Sequence, residues 1–142
     1  MPRLPEKIGK YKIEALIAKG GMGDVYRASH PTLKQSVVLK RLTRRGSSDF
    51  AERFRREARI MMGFRNDHIV TVYDHFKEGS SYYIVSEYVD GVSLEDLISR
   101  ERYLPDDTAL LIFVDCCEAL AYAHERGVVH RDIKPGNILI SR

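Results

Sequence analysis

The last fifteen residues of the chain, 128–142, read "VVHRDIKPGNILISR". The segment "HRDIKPGN" (130–137) places a carboxylate (Asp132), a cation (Lys134) and an amide (Asn137) in one loop. Asp132 can accept a hydroxyl proton, and Lys134 can balance charge on a transferring phosphoryl group. Asn137 offers a hard oxygen to Mg²⁺. The plainer alternative is a polar loop following a helix, and the close spacing of the three groups argues against it.

Just before the loop, Pro105 is a good first helical position, and Asp106 and Asp107 fall in the positive first turn of a helix predicted to run to about His124. Thirteen of the sixteen residues 109–124, "ALLIFVDCCEALAYAH", are apolar. A helix apolar nearly all round belongs inside a larger body. Leaving Leu110, Leu111, Ile112, Phe113 and Val114 half wet forgoes several times about 1.5–3 kcal/mol. Something outside these residues is expected to cover that helix.

The first half alternates with the period of strands. Residues 11–18, 23–29 and 36–42 read as three strands, and 68–79 with 81–89 as two more joined by the Gly79–Ser80 turn. A helix is predicted from about Asp49 to Met62, with Asp49 and Glu52 at capping-box spacing and a stripe of Phe50, Phe54, Ala58 and Met61. A shorter helix, "SLEDLISR", has Ser93 as its expected cap.

Between the first two strands lies "AKGGMGDV" (18–25), with Gly20, Gly21 and Gly23 in four positions. Such a turn can bring backbone N–H groups close to phosphate oxygens, or it can be an ordinary glycine-rich hairpin. A strand follows it, which excludes a Rossmann fingerprint, and no Gly-Lys-Ser/Thr closes it, which excludes a P-loop. Lys40 shares a strand face with Val38, so it is either paired, turned to a ligand, or snorkelling to water. Glu57, seventeen residues on, falls on the apolar stripe of the following helix and is its natural counter-ion.

Taken in order, "AKGGMGDV", "VVLK", Glu57, "SEYVDG" and "HRDIKPGN" resemble the motif set of the protein kinase family over essentially the whole chain. Lys134 in "IKPGN" points to the serine/threonine type, and "GGMGDVYRA" together with "HRDIKPGNILI" is most similar to the bacterial serine/threonine kinases of the eukaryotic-like type. The resemblance implies an α+β fold: a five-stranded antiparallel sheet plus one helix (about 8–89, N-lobe and hinge), then the first helices and catalytic loop of an incomplete C-lobe (90–142). It implies a chain acting with ATP and Mg²⁺ on a serine or threonine of a protein substrate.

By the same resemblance, Asp132 is the base, Lys40 and Lys134 contact phosphate, Glu57 orients Lys40, and Asn137 binds the metal. The nucleotide would meet Ile17, Ala18, Lys19, Gly20, Gly21, Met22, Gly23 and Asp24 along the glycine turn. Adenine would lie among Val25, Val38 and Leu139, hydrogen-bonded by the Glu87 carbonyl and the Val89 N–H.

Four departures stand out. Ala18 replaces the first glycine, Val38 the usual alanine, and Ser86 gives a small gatekeeper. "RNDHIV" stands where the family has His-Pro-Asn-Ile-Val. No Asp-Phe-Gly motif follows "NILISR", so an incomplete domain is expected, with a catalytically inactive nucleotide- or partner-binding module as the alternative. In either case helix 105–124 is a surface for a missing C-lobe segment or for self-association.

Composition fits a soluble globular protein, at 44% hydrophobic and 30% charged residues. No apolar run reaches the roughly 20 residues of a membrane span. The start lacks an apolar signal core, and a cytoplasmic location is expected. The two cysteines, Cys116 and Cys117, are adjacent and read as small apolar fillers rather than a disulfide or zinc pair. Lys40, Arg41, Arg44, Arg45, Arg53, Arg55, Arg56 and Arg59 crowd positions 40–59. Without interleaved aromatics they read as a solvated face, not a nucleic-acid footprint.

Overall fold

The computed structural model describes residues 3–20, 23–43 and 49–142. Gly21, Met22, Arg44 and Arg45, singled out above, lie outside the described residues. The chain divides into two compact units, residues 1–64 with 71–88, and residues 65–70 with 89–142.

The first unit is built on β1 (Lys7–Ile8), β2 (Tyr11–Gly20), β3 (Gly23–Ser29), β4 (Ser36–Thr43), β5 (Val72–Glu78) and β6 (Ser81–Glu87). They form one antiparallel sheet in the order β1-β2-β3-β4-β6-β5. The five expected strands are there, and the two-residue β1 is added at the edge of β2. It was too short to show any alternation.

Period-two burial decides which face is which. Tyr26 and Ala28 of β3, Val37 and Leu39 of β4, and Tyr83 and Val85 of β6 are buried with Ile8, Tyr11 and Ile13 in one core. The sheet curls around it. Tyr11 of β2 stacks on Phe76 of β5 with ring centroids 6.0 Å apart, although three strands separate β2 from β5 in the sheet. The Tyr11 hydroxyl donates to Asp74 Oδ2 at 3.1 Å.

Burial, with the Asp74 carboxylate second, pushes the Tyr11 hydroxyl up to about 12. A raised phenol pKa favours the folded state below the unfolded value near 10, and that advantage is lost as pH climbs from there through 12. Tyr11→Phe is therefore expected to flatten the alkaline limb of the stability curve. Urea melts at pH 9 and pH 11.5 should show the wild type losing about 2 kcal/mol more than the variant. Equal losses would contradict the assignment.

On the other face lies α1 (Phe50–Met62). Phe54 and Ala58 are its buried residues, and Phe54 packs on Tyr82 (5.1 Å) and His75 (5.9 Å). The expected capping box does not form. Asp49 has helical dihedrals (φ −83°, ψ −4°) and makes no side-chain cap bond, whereas a capping side chain needs an extended N-cap backbone.

The second unit holds β7 (Gly91–Ser93), α2 (Leu94–Glu101), α3 (Asp106–Glu125), a 3₁₀ turn (Pro135–Asn137) and β8 (Leu139–Ser141), which pairs antiparallel with β7. Ser93 caps α2 as expected, its Oγ accepting from the Asp96 N–H at 3.0 Å. Pro105 turns out to be the N-cap of α3, one position before the first helical residue. None of the residues of α3 is buried, and Leu111 and Phe113 are 67% and 64% exposed. No described helix is long and apolar enough to cross a membrane.

Candidate functional site

In the first unit the strand register aligns the candidate residues in rows. Ala18 lies opposite Val25, Val25 opposite Lys40, and Lys40 opposite Ile84, so one row crosses β2, β3, β4 and β6. Two positions along, on the same face, a row carries Arg27, Val38 and Ser86. Val25, Val38 and Lys40 share the sheet face opposite the curled core, the face on which α1 lies, because Val37 and Leu39 occupy the alternate, fully buried positions. An aliphatic platform beside one ammonium results.

The expected Lys40–Glu57 ion pair is absent: among the described residues no contact within 4.0 Å joins them, and both side chains are exposed. Period alone placed Lys40 and Glu57 on facing surfaces. It did not reveal that water reaches each of them, and an exposed pair gains only about 0–1 kcal/mol by closing. Glu57 sits at the flank of the stripe, and Phe54 and Ala58 fill its buried centre.

Another ion pair holds this corner, and sequence reasoning missed it. Asp24, next to the paired Val25–Lys40 position, takes a 2.8 Å contact from Arg41 Nη2, while the Tyr26 hydroxyl donates to the same oxygen at 3.2 Å. Asp24 is nearly buried, at 9% exposure, and Arg41 Nε is buried without a partner. Burial, then the Asp24 charge, raises the Tyr26 hydroxyl, with Arg41 pulling the other way. The Asp24 carboxylate is thus spent on the core side. Only the hairpin register, invisible in the sequence, brings Asp24 to Arg41.

Gly23 is constrained from the same side. Its φ is +133°, and a Cβ there would lie 1.6 Å from the Arg41 carbonyl oxygen. Elsewhere on the hairpin, Ile17 is half exposed and Lys19 is exposed. At the end of β6, Glu87 exchanges bonds with Thr71: its carboxylate accepts from the Thr71 N–H at 2.7 Å, and its own N–H donates to the Thr71 carbonyl at 2.9 Å.

In the second unit the loop after α3 gathers its polar groups about one carboxylate. Asn137 Nδ2 donates to the Asp132 carbonyl (2.8 Å) and to Asp132 Oδ2 (3.2 Å). Lys134 Nζ lies 3.5 Å from the same Oδ2. The Asp132 N–H donates to His130 Nδ1 at 3.1 Å, and Arg131 takes a positive φ of 69° to let the chain double back. Asp132, Lys134 and Asn137 are therefore brought together, and among the described residues nothing donates to Asp132 Oδ1 or Asn137 Oδ1. Below the loop, the Ile138 carbonyl accepts from the Leu94 N–H at 2.8 Å and β8 pairs with β7, which fixes Leu139, itself half exposed. Val89 is partly buried.

The model of the protein kinase domain family matches residues 11–142. The chain belongs to the protein kinase family. This kinase chain is 41% identical over 134 residues to the serine/threonine-protein kinase PrkC of Bacillus subtilis, covering 93% of itself and 21% of PrkC. It is 37% identical over 143 residues to the serine/threonine-protein kinase PknB of Mycobacterium leprae, at 96% and 23% coverage. Among solved structures, the kinase domain of PknI from Mycobacterium tuberculosis superposes with a TM-score of 0.86 at 29% identity, over 98% of this chain and 58% of that one. The kinase chain thus spans about a quarter or less of the length of these curated relatives. Its fold is the α+β arrangement of a kinase N-lobe, a curled antiparallel sheet with few helices.

Proposed function

We propose that the chain carries the nucleotide-binding and proton-accepting parts of an ATP-dependent serine/threonine protein kinase, as an incomplete domain. Residues 8–89 serve as N-lobe and hinge and 90–142 as the start of the C-lobe. The observation that supports this most is the Asp132 carboxylate, steadied on Oδ2 by Asn137 and Lys134 while Oδ1 remains available to a substrate hydroxyl. A base held in this way meets the geometric need of phosphoryl transfer to an alcohol.

Val25 and Val38 offer apolar faces to adenine, and Lys40 offers charge to phosphate. The nucleotide draws Lys40 and Glu57 together, because a triphosphate orders the ammonium that water otherwise solvates. Asn137 Oδ1 and the Asp132 carboxylate are hard oxygens and fit Mg²⁺, which would neutralise phosphate charge. In this chain Asn137 is the one motif-assigned ligand, so most of the shell would come from phosphate and water.

The test uses labelled ATP, Mg²⁺ and a generic basic protein. Binding of nucleotide without turnover is the expected result. Turnover that vanishes in Asp132→Asn would overturn the incomplete-domain part, and no nucleotide binding at millimolar ATP would overturn the whole.

The exposed apolar side of α3 favours a second reading, a partner-binding module of kinase descent. Its surface fits either a further segment of a kinase domain or a second copy of the chain. Sedimentation decides: a well-folded, strictly monomeric chain at high concentration counts against self-association.

A further inference from the structure

Within the second unit, the 65–70 loop is fastened to one face of α3. Asp115, Glu118 and Tyr122 stand at i, i+3 and i+7 on that helix, hence in one line. The Arg65 N–H donates to the Tyr122 hydroxyl at 2.8 Å. Asn66 folds the loop over, its Oδ1 accepting from the His68 N–H at 2.8 Å and its carbonyl from the Ile69 N–H at 3.2 Å. His68 is thereby presented to the two acids one turn before Tyr122.

The distances are informative. His68 Nε2 lies 3.4 Å from Glu118 Oε2 and 3.6 Å from Asp115 Oδ1, yet it hydrogen-bonds to neither. All three ligand atoms fall within 4.8 Å of one another. Zinc holds imidazole nitrogen and carboxylate oxygen at about 2.0–2.2 Å, and two such ligands at a tetrahedral angle sit roughly 3.4 Å apart. The separations are thus loose for a hydrogen bond and right for two edges of a zinc polyhedron. Two carboxylates also leave a local negative charge that a dication cancels, and an imidazole binds a metal in its neutral form. Imidazole excludes Mg²⁺ as the natural occupant, since that ion prefers oxygen in an octahedron.

We propose that His68, Asp115 and Glu118 form a zinc-binding site with its fourth position open to water, and that the ion fastens the 65–70 loop to α3. The site is independent of the phosphoryl-transfer reading and of Asn137. Sequence alone hides it, because Asp115 lies 47 positions after His68.

The experiment is calorimetric titration of ZnCl₂ into the full chain, freed of metal with a chelator. The Cys116→Ser/Cys117→Ser background keeps thiols from supplying ligands. One ion per chain is expected, and His68→Ala and Glu118→Gln should each weaken binding about tenfold or more. Zinc should also slow amide hydrogen exchange in residues 65–70, an effect absent in His68→Ala. The three side chains are 34–63% exposed, so the substitutions should leave the fold intact, as circular dichroism can verify. Zinc affinity unchanged in His68→Ala, binding lost with the cysteines, or an equal response to Mg²⁺ would each overturn the proposal. So would the absence of zinc binding, which would mark the cluster as an ion pair only.

Discussion

Replacing Gly23 with alanine is expected to destabilise the first unit by about 3 kcal/mol or more, seen as an early urea midpoint by circular dichroism. Two independent costs add. A φ of +133° is a backbone state that side chains resist, and the new methyl would start 1.6 Å from the carbonyl oxygen of Arg41, a backbone atom that cannot swing aside. β3 and β4 must separate locally or the hairpin must twist. Gly79 supplies the control: it too has positive φ (+60°), but nothing lies within 4 Å of its virtual Cβ. Gly79→Ala should cost only about 1–2 kcal/mol, the strain alone. If the two variants melt alike, the close approach of β3 to β4 is wrong.

The second large effect belongs to Asp24. Its side chain is 13% exposed and that of Arg41 36%, so the pair is sheltered on the acid's side and half wet on the other. Asp24→Ala removes the carboxylate that meets Arg41, strands the Tyr26 hydroxyl, and leaves a guanidinium whose Nε is already unpartnered. Breaking one side of a fully buried pair costs about 3–5 kcal/mol; with Arg41 partly solvated, about 2 kcal/mol is expected. Asp24→Ala combined with Arg41→Met should recover a substantial part, because the second change removes the stranded charge. A double variant as unstable as the sum of its parts would contradict this.

Much of the architecture could be read directly. Alternation located all five main strands to within a few residues, since burial on one face imposes period two on β3 and β4 in particular. The gathering of Asp132, Lys134 and Asn137 was legible because they are neighbours in one short loop. What escaped depends on register and solvent. Asp24 meets Arg41 only through hairpin pairing, and His68 meets α3 only through a turn at Asn66. The curl that brings Tyr11 to Phe76 leaves no periodic trace. Asp49 had the right spacing to cap α1 and the wrong backbone. Lys40 and Glu57 were assigned to the correct elements, yet their exposure, which decides whether they pair unaided, was hidden.

We propose that the Lys40–Glu57 interaction, open in the free chain, closes on Mg²⁺-ATP. A double-mutant cycle of Lys40→Ala and Glu57→Ala, read by calorimetric binding of Mg²⁺-ATP, tests it most directly. A coupling of about 1 kcal/mol between the two positions is predicted, with each single variant binding nucleotide more weakly. Additive effects within about 0.3 kcal/mol, or undiminished binding in Lys40→Ala, would contradict the account.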